Sequence, residues 1–589
     1  MARLKYNFTW KKYHRWLGLV LSVFMLVFCV SGIILNHREV FSDCEVSRKW
    51  LPASYHIKNF NNGVVKGTVV KNSGSLAISE GFSDSILVYG CAGVFLTDYQ
   101  LSTWQDFNAG LPKSIDERNV RHLVQARDGS LWCAALRDVY RYDENAQQWK
   151  KVELPGNEER IMDVALGKNS IQVVALTRSR IFEITPIASN IDVSESPSSL
   201  ASSAKGGVSE KSPDIFEKKS GGFSEKVGTF LGKYRVEAKI IPAQKKYEPK
   251  TTLFKLVWHL HSGEFFGLPG KLVVDAIALV LIVLSITGII RFILPYGIRR
   301  AKKVKSEERR VKNSLAAKNR MKRLGKLFAW NMKWHNKIGY VTIVLTLWIA
   351  ITGMCLRPPL MVPLVLSKLP QAVGEDGNVW QDKLRAIRWD AVQGDWLVST
   401  SEGFLRVDED FSQAPKMLPD DECPKLSPMG VTVWESDGKG GWIVGSFRGI
   451  YRWNPINHKS QILDYFTNEP CVETSMIPIS DNLICGYSED LFDREPMVFD
   501  FAKGVEDAKG QVINILDEKD AMSDLICETA PMSLWNVALE LHVGRCYSPF
   551  LGPLSDLFVF LSGLLITLVL LSGYIISHRR RKKAQARLK

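Results

Sequence analysis

The chain has 589 residues and a formal net charge of +14, with 46% hydrophobic and 10% aromatic residues. This length leaves room for several domains of roughly 100–200 residues, and the composition excludes a disordered chain, a collagen and a small disulfide-rich scaffold. Four stretches of 19–21 residues are almost free of charge, and a helix needs roughly 20 apolar residues to cross a bilayer. The sequence therefore predicts an integral membrane protein with four transmembrane helices. The stretches are 16–36, 272–290, 338–356 and 557–577.

Three basic segments determine the predicted orientation of these helices. Residues 1–15 hold five Lys and Arg and no acid, residues 299–333 hold fourteen against two Glu, and residues 578–589 hold seven and no acid. Positively charged loops next to membrane helices remain in the cytoplasm. We therefore expect both termini and residues 299–333 to be cytoplasmic, with the two long intervening segments outside. Because each basic segment flanks a helix, topology explains the charge, and no nucleic-acid partner is expected.

The predicted organisation has nine parts along the chain. They are a cytoplasmic N-terminus (1–15), transmembrane helix 1 (16–37), a β-rich outer segment (38–258), the approach and body of helix 2 (259–294), a basic cytoplasmic loop (295–334), helix 3 (335–356), a second β-rich outer segment (357–541), the approach and body of helix 4 (542–577) and a basic cytoplasmic tail (578–589). Within the first outer segment, residues 189–228 are rich in Ser, Gly and Lys and are expected to be flexible.

Both outer segments contain short alternating apolar runs separated by Gly and Asp turns, which is the pattern of antiparallel strands. The motif Asp128-Gly-Ser-Leu-Trp132 recurs loosely at 440–442 and resembles the turn of a propeller blade. Each segment holds about three such units, so the two segments together predict one propeller-like domain of about six blades. Eight of the ten cysteines fall on the outer side under this topology, where an oxidising compartment would allow disulfides.

The membrane part of the sequence contains an internal repeat. Residues of helix 1 recur in helix 3 at an offset of 321, and residues before helix 2 recur before helix 4 at an offset of 281. A unit of helix, outer segment, His-x-Gly motif and helix therefore occurs twice in parallel orientation, with small residues at the helix ends that suit close packing in lipid. The recurring residues are His14, Gly18, Ser31-Gly32, His261, Asp275 and Thr287-Gly288 in the first half, and His335, Gly339, Thr352-Gly353, His542, Asp556 and Ser572-Gly573 in the second half.

Histidines are concentrated at the helix ends. Ionisable residues in membrane helices are functional candidates, and two imidazoles from different helices at one depth can be the axial ligands of a b-type haem. His14 and His37 are 23 residues apart, or roughly 34 Å along a helix, so they cannot share one haem and two haems are predicted. His14 and His335 are repeat mates at one depth and are the predicted ligands of the inner haem. Gly18 and Gly339 follow them by four residues and would leave room for a flat macrocycle.

The outer haem has more than one candidate ligand set. The favoured pair is His37 with His261, and His259 and His542 are kept as alternatives because they lie at the same membrane end. The other histidines, which are His56, His122, His458 and His578, are expected to be structural.

Three motifs of the first half carry a family resemblance. They are Lys12-Tyr-His14-Arg-Trp-Leu-Gly18, Ser31-Gly-Ile-Ile-Leu-Asn-His37-Arg, and His259-Leu-His261-Ser-Gly with the following Asp275 and Thr287-Gly288. They resemble the PepSY-associated transmembrane family, and the resemblance covers all four helices. It implies a haem protein of the bacterial inner membrane that reduces ferric siderophores in the periplasm. The second half departs from this pattern, with Pro358 at the position of His37 and Glu540 at that of His259.

Two functions follow as hypotheses. In the first, the chain is a multi-pass electron-transfer protein with two haems b, which takes electrons from quinol or a cytoplasmic reductant and passes them to a periplasmic ferric siderophore, another ferric chelate or a protein acceptor. No GxGxxG motif supports a flavin or nicotinamide site. In the second, the chain is a non-enzymatic membrane sensor or assembly partner whose propeller-like domain binds a ligand or a protein.

Overall fold

The computed structural model describes residues 2–71, 85–186, 229–231, 234–244, 247–308, 315–371, 377–427, 429–455, 462–471, 482–513 and 530–587. The expected flexible segment 189–228 lies outside the described residues, as do His458 and Cys527. The chain forms two compact units. The helical unit comprises Met1–Ala53, Glu248–Ala372 and Pro531–Lys589, and the β unit comprises Ser54–Tyr247 and Val373–Ala530.

Three helices of the described chain are long and apolar enough to cross a membrane, and a bent pair of helices adds a fourth span if it is counted as one. Unlike the other predicted spans, the stretch 338–356 is not one straight helix, because the chain bends by 68° at its start. The helices are α1 (Ala2–Asn36), α2 (Arg38–Phe41), α3 (Leu253–Ser262), α4 (Gly267–Glu308), α5 (Leu315–Val341), α6 (Ile343–Cys355), α7 (Met361–Leu366), α8 (Leu534–His542), α9 (Ser548–Leu551) and α10 (Ser555–Gln585).

The bend between α5 and α6 lies at Thr342. Its hydroxyl donates a hydrogen bond of 2.9 Å to the carbonyl of Ile338. Thr287 makes the same bond to Val283 inside the continuous helix α4, so this bond alone does not produce the bend. The aligned position of the first half is Leu21, which has no hydroxyl, and α1 continues unbroken past it. The two halves therefore differ in backbone at this point although their sequences align.

The long helices pack around a core of apolar side chains. Leu21 and Met25 of α1, Ile277 and Leu281 of α4 and Ile566 of α10 form one buried cluster. Two short ribbons complete the helical unit, with strands numbered in chain order. They pair β1 (Glu45–Val46) with β28 (Met532–Ser533), and β15 (Lys250–Thr252) with β16 (Lys368–Pro370).

The β unit contains six antiparallel sheets in its described residues, three from each outer segment. Sheet 1 is β2 (Gly67–Val70), β3 (Ile86–Gly90), β4 (Gly93–Thr97) and β5 (Trp104–Asp106); sheet 2 is β6 (His122–Gln125), β7 (Leu131–Ala134), β8 (Val139–Asp143) and β9 (Gln148–Val152); sheet 3 is β10 (Ile161–Leu166), β11 (Val173–Thr177), β12 (Ile181–Pro186), β13 (Thr229–Leu231) and β14 (Tyr234–Lys239). Sheet 4 is β17 (Leu384–Asp390), β18 (Asp395–Thr400), β19 (Gly403–Val407) and β20 (Lys416–Met417); sheet 5 is β21 (Val433–Ser436), β22 (Trp442–Ser446), β23 (Gly449–Trp453) and β24 (Leu463–Asp464); sheet 6 is β25 (Ile484–Ser488), β26 (Met497–Asp500) and β27 (Gly504–Glu506).

The Asp-Gly motif seen in the sequence forms the turn between β6 and β7. The Asp128 carboxylate accepts a 2.9 Å hydrogen bond from the backbone N–H of Ser130, and Gly129 has a φ of +83°, which glycine adopts without strain. The turn places the Trp132 indole in the core, where it is 1% exposed. No disulfide joins the nine cysteines of the described residues, which are all free thiols.

Each sheet packs against the next through a shared apolar cluster. Trp132 of sheet 2 meets Phe182 of sheet 3 in one of these clusters. The sixth sheet also packs on the first, since Phe499 and Val88 belong to a single cluster. The β unit is thus a set of sheets joined by side chains, because no backbone ladder runs between sheets in its described part.

A buried ionic network crosses four of these sheets. Asp163 of sheet 3 is 4% exposed and lies 2.6 Å from the guanidinium of Arg388 in sheet 4 and 3.1 Å from Nδ1 of His122 in sheet 2. Arg388 also donates to the carbonyl of Trp434 in sheet 5 at 2.9 Å. Burial opposes ionisation of Asp163, but the charge of Arg388 and the bond from His122 outweigh it and lower the pKa of this carboxyl.

We expect Arg388→Met to destabilise the β unit by about 3–5 kcal/mol, because it leaves the Asp163 carboxylate buried without its partner. In the wild-type chain, ionised Asp163 contributes to the free energy of unfolding at pH values above the ordinary pKa range of a carboxyl group. This contribution is lost as the pH falls through the lowered pKa of Asp163. The measurement is thermal unfolding of the purified full chain in detergent, followed by tryptophan fluorescence at neutral and acidic pH.

The matched control is Lys168→Met, which removes an exposed ion pair of 3.0 Å with Glu409 in the same unit. An exposed pair contributes only about 0–1 kcal/mol. Equal effects of the two substitutions would contradict a structural role for the network.

Candidate functional site: two histidine pairs in the helical unit

Four histidines of the helical unit meet as two pairs. His14 of α1 and His335 of α5 form the first histidine pair, with ring centroids 6.5 Å apart and ring planes at 66°. His261 of α3 and His542 of α8 form the second histidine pair, with centroids 6.1 Å apart and planes at 50°. Each pair joins one histidine of the first half to its aligned mate in the second half.

Every imidazole of the two pairs is held in the same way. Its Nδ1 atom lies 2.8–2.9 Å from the hydroxyl oxygen of a Ser or Thr on another helix. The contacts are His14 with Ser572, His335 with Thr287, His261 with Thr352 and His542 with Ser31.

The direction of these hydrogen bonds follows from the hydroxyl groups. Each hydroxyl donates its hydrogen to a carbonyl of its own helix, at 2.6–2.8 Å, so towards the imidazole it can only accept. The Nδ1 of His14 also lies 3.1 Å from the carbonyl of Val569, and that of His542 lies 3.1 Å from the carbonyl of Phe28. A carbonyl only accepts, so this network assigns the hydrogen to Nδ1.

The Nε2 atom of each imidazole therefore carries a lone pair. In the described part of the chain, no hydrogen bond reaches Nε2 of any of the four rings. A neutral imidazole whose Nδ1–H is fixed by a hydrogen bond is the form that ligates a metal through Nε2.

A glycine follows each of the four hydroxyl residues and lets the imidazole approach. A Cβ atom at Gly573 would lie 2.9 Å from the His14 ring, and one at Gly353 would lie 2.8 Å from the His261 ring. The same positions at Gly32 and Gly288 are 3.3 and 3.7 Å from His542 and His335.

Gly18 and Gly339, which are predicted to leave room for a macrocycle, lie against side chains of other helices. A Cβ at Gly18 would meet Val569 at 3.7 Å, and a Cβ at Gly339 would meet Leu284 at 3.6 Å. Both distances are ordinary van der Waals contacts between helices. The Ser/Thr-Gly dipeptides are the residues that accommodate the rings.

Each histidine of one half is bonded by a dipeptide of the other half. The rings of His14 and His261 rest on Ser572-Gly573 and Thr352-Gly353, which belong to the second half. The rings of His335 and His542 rest in turn on dipeptides of the first half. Neither half alone contains a complete site.

Additional side chains support the first pair. Asn331 lies one turn before His335, is 1% exposed and donates from Nδ2 to the carbonyl of Thr287 at 2.9 Å. This bond ties α5 to α4 where the Thr287 hydroxyl meets His335. Asn331 could not be found from the repeat, since the aligned position 10 is Trp.

His37, the favoured partner of His261 in the sequence analysis, has a different environment. Its Nε2 atom lies 2.8 Å from the carboxylate of Asp275, which also accepts from Asn36 at 2.9 Å. The structure brings His261 together with His542, the alternative that the sequence left open. His37 instead connects the end of α1 to the start of α4.

The second half makes the matching connection without a histidine. Arg357, aligned with Asn36, donates to Asp556, aligned with Asp275, at 3.3 Å. This accounts for Pro358 at the position of His37, because an Arg–Asp pair replaces the Asn and His contacts. His259 stacks edge-on against Trp258, with centroids 5.5 Å apart, and belongs to neither pair.

The two pairs lie far apart along the helical unit. His14 belongs to the first pair and Ser31 contacts His542 of the second pair. Both residues are on the continuous helix α1. The 17 residues between them correspond to about 25 Å at 1.5 Å per residue.

The separation within each pair suits one metal ion between two Nε2 atoms. An imidazole nitrogen binds a first-row metal at about 2.0–2.1 Å. With the ring centroid about 1.1 Å behind the nitrogen, two rings on opposite sides of one ion have centroids roughly 6.3 Å apart. The observed 6.5 and 6.1 Å lie on either side of this value.

The donor set distinguishes between kinds of metal site. Among the described residues there is no group of three or more His, Cys, Asp and Glu side chains that could hold a metal ion. A structural or catalytic zinc needs three or four protein ligands, whereas an iron held by a macrocycle needs two axial ones. The two histidines of each pair match the number of axial ligands that a haem iron needs.

The helical unit and its crossed histidine pairs define an integral membrane protein built from two repeated halves. The model of a family described as the PepSY-associated TM region matches residues 3–294 and again residues 301–581. The chain belongs to this family, and its two matches coincide with the two halves.

No curated protein matches the chain significantly. Among solved structures, it is similar to the crystal structure of the extracellular domain of a one-component system from B. thetaiotaomicron, with a TM-score of 0.29 and 9% identity. That alignment covers 76% of this chain and 39% of the other. A similarity of this size defines neither fold nor function.

Proposed function

We propose that the protein is a di-haem b electron-transfer protein. The observation that carries the proposal is that four histidines meet in two pairs, with ring centroids 6.5 and 6.1 Å apart, and that each Nε2 lone pair is left without a hydrogen bond in the described residues. When bound, haem b supplies a one-electron iron couple. The hydrogen of each histidine is on Nδ1, so Nε2 would be the atom that ligates the iron, and the Ser/Thr-Gly dipeptides set the orientation of the rings.

The charge distribution supports an orientation in the bacterial inner membrane. The basic segments 1–15, 299–333 and 578–589 all belong to the cytoplasmic side under the positive-inside rule. His14 and His335 then lie at the cytoplasmic side and His261 and His542 at the periplasmic side. Electrons would pass from the first histidine pair to the second.

The reaction that fits this arrangement is reduction of a periplasmic ferric chelate, such as a ferric siderophore, with a protein acceptor as the alternative. Quinol or a cytoplasmic reductant would supply the electrons, since the sequence has no GxGxxG nucleotide motif. Membership of the PepSY-associated family supports this class of reaction.

We further propose that the β unit is a six-bladed propeller in the periplasm. Three features support it: the sheets follow one another along the chain, each shares an apolar cluster with the next, and sheet 6 packs on sheet 1. Packing of the last sheet on the first would cover faces that otherwise remain exposed.

The haem assignment is tested by the haem content of single variants, measured by a pyridine haemochrome assay on purified protein. We expect about two haems per chain in the wild type and about one in His14→Ala. The double variant with His335→Ala should lose no more than either single change, because both act on one site. His261→Ala and His542→Ala should remove the other haem.

His37→Ala is the matched control and should keep both haems, since His37 contacts Asp275 and not another imidazole. A wild-type protein without haem, or additive losses from His14→Ala and His335→Ala, would refute the assignment.

Direction of electron flow separates the reductase from a sensor that holds haem only for structure. After reduction with stoichiometric dithionite, a ferric siderophore should reoxidise both α bands of the wild-type spectrum. In His542→Ala the first haem should stay reduced at least tenfold longer, because its route to the acceptor is interrupted. Equal reoxidation rates in the two proteins would contradict transfer through the second pair.

Gly353→Ala should displace His261 and reduce occupancy of the second haem, because the added Cβ would lie 2.8 Å from the ring. Gly339→Ala is the matched control, since its Cβ would make only a 3.6 Å contact with Leu284. Haem content and the Soret band of the two variants provide the measurement. Loss of haem in Gly339→Ala would instead place the macrocycle over that residue.

A further inference from the structure

Arg291 lies beside the first histidine pair. It follows Thr287, which bonds His335, by one turn of α4, and helical side chains lean back towards the N-terminus over the preceding turn. Its guanidinium is half-buried and its charge acts on both His14 and His335.

Two more arginines are on the helices that carry His14 and Ser572. Arg15 is the neighbour of His14, and its guanidinium lies 5.8 Å from the centre of the Phe292 ring, which places it against α4. Arg580 lies two turns after Ser572, the residue that bonds His14. The charges of Arg15 and Arg580 both act on Arg291.

The structure gives these three cations no acidic partner among the residues that it describes. None of them forms an ion pair in the described residues, and segments 1–38, 276–306, 309–374 and 557–589 contain no Asp or Glu. The nearest acids along α4 are Asp275 and Glu307, each 16 residues from Arg291, or about 24 Å.

Three like charges next to lipid are costly unless an anion pairs with them. At the second histidine pair the half-buried Arg357 already has Asp556 as its partner. The position of the second half that corresponds to Arg291 is Ile576, so helix packing does not require an arginine there. An anion from outside the chain is therefore expected at the first pair only.

We propose that Arg291, with Arg15 and Arg580, binds the carboxylates of the tetrapyrrole held between His14 and His335. This rests on the proposed function. Haem b carries two propionate carboxylates at one edge, and a guanidinium binds a carboxylate through two parallel hydrogen bonds. The arginines thereby fix which edge of the ring points to this side of the membrane. They also raise the reduction potential of the first haem relative to the second, because a nearby cation favours the added electron.

The test uses the full chain with Arg291→Gln, followed by a spectroscopic redox titration. We expect both haems to remain and the reduction equilibrium of the first to shift at least tenfold towards the oxidised form, which is 59 mV for a one-electron couple. The second haem should be unchanged. Arg299→Gln is the matched control, because Arg299 is exposed two turns further along α4 and lies over the Tyr296 ring.

The carboxylate itself is tested by reconstituting apo-protein with haem or with haem dimethyl ester, in a His542→Ala background that retains only the first site. This protein should bind haem at least tenfold more tightly than the ester, and adding Arg291→Gln should abolish the preference. An undiminished preference in the Arg291 variant would overturn the proposal.

A lipid phosphate is the other source of an anion at these arginines. If the potential difference between wild type and Arg291→Gln appears only when anionic lipid is added to the detergent, lipid is the ligand and the proposal fails. A wild-type chain that binds no haem at all would instead refute the proposed function, so the two failures are distinguishable.

Discussion

A Ser or Thr hydroxyl that donates its hydrogen to its own helix can only accept a second hydrogen bond, and this constraint determines the chemistry of all four paired imidazoles. Because the hydroxyls of Ser31, Thr287, Thr352 and Ser572 are committed in this way, the hydrogen of each histidine is on Nδ1. The lone pair is then on Nε2. Helix backbone geometry thus selects the tautomer without any charged residue.

The membrane explains why this device suits the helical unit. In lipid, polar groups must form their hydrogen bonds within the protein. A Ser or Thr hydroxyl that donates to a carbonyl of its own helix meets this requirement, whereas a hydroxyl without a partner is costly. A hydrogen bond between helices in lipid contributes only about 0.6–2 kcal/mol. Four such bonds add modestly to the stability of the helical unit. Their larger effect is on the orientation of the imidazole rings, because residues that hydrogen-bond a metal-ligating side chain change metal affinity about 10–100-fold. A glycine is needed after each hydroxyl residue because a larger side chain there would crowd the imidazole ring that lies against the helix.

The internal repeat predicts part of this arrangement and misses the rest for identifiable reasons. His14 and His335 keep a single offset, so their pairing follows from the sequence. His37 is the partner of His261 that the sequence favours, with His542 kept as an alternative, although the repeat gives His37 no mate, since Pro358 is at the aligned position. Hydrogen bonding by Ser31 across the two halves could not be predicted, since it depends on which helices become neighbours in space.

The fold shows the same division. Uncharged stretches and alternating runs locate the helices and strands, because hydrophobic periodicity follows burial. The bend at Thr342 escapes such reasoning, because the apolar stretch 338–356 runs through it without interruption. The packing of sheet 6 on sheet 1 escapes it as well, because the two sheets come from opposite ends of the β unit in the sequence.

Two equal halves with crossed contacts would produce two equal sites, and equal sites give electron transfer no preferred direction. The residues that differ between the halves therefore deserve as much weight as those that repeat. The chain bends by 68° at Thr342 but is a continuous helix at the aligned Leu21, and Arg291 stands where the second half has Ile576. A cation at one histidine pair without an equivalent at the other makes the two levels electrostatically unequal, since no acid of the described residues pairs with it. The repeat accounts for the presence of two sites, and the substitutions within it account for the difference between them.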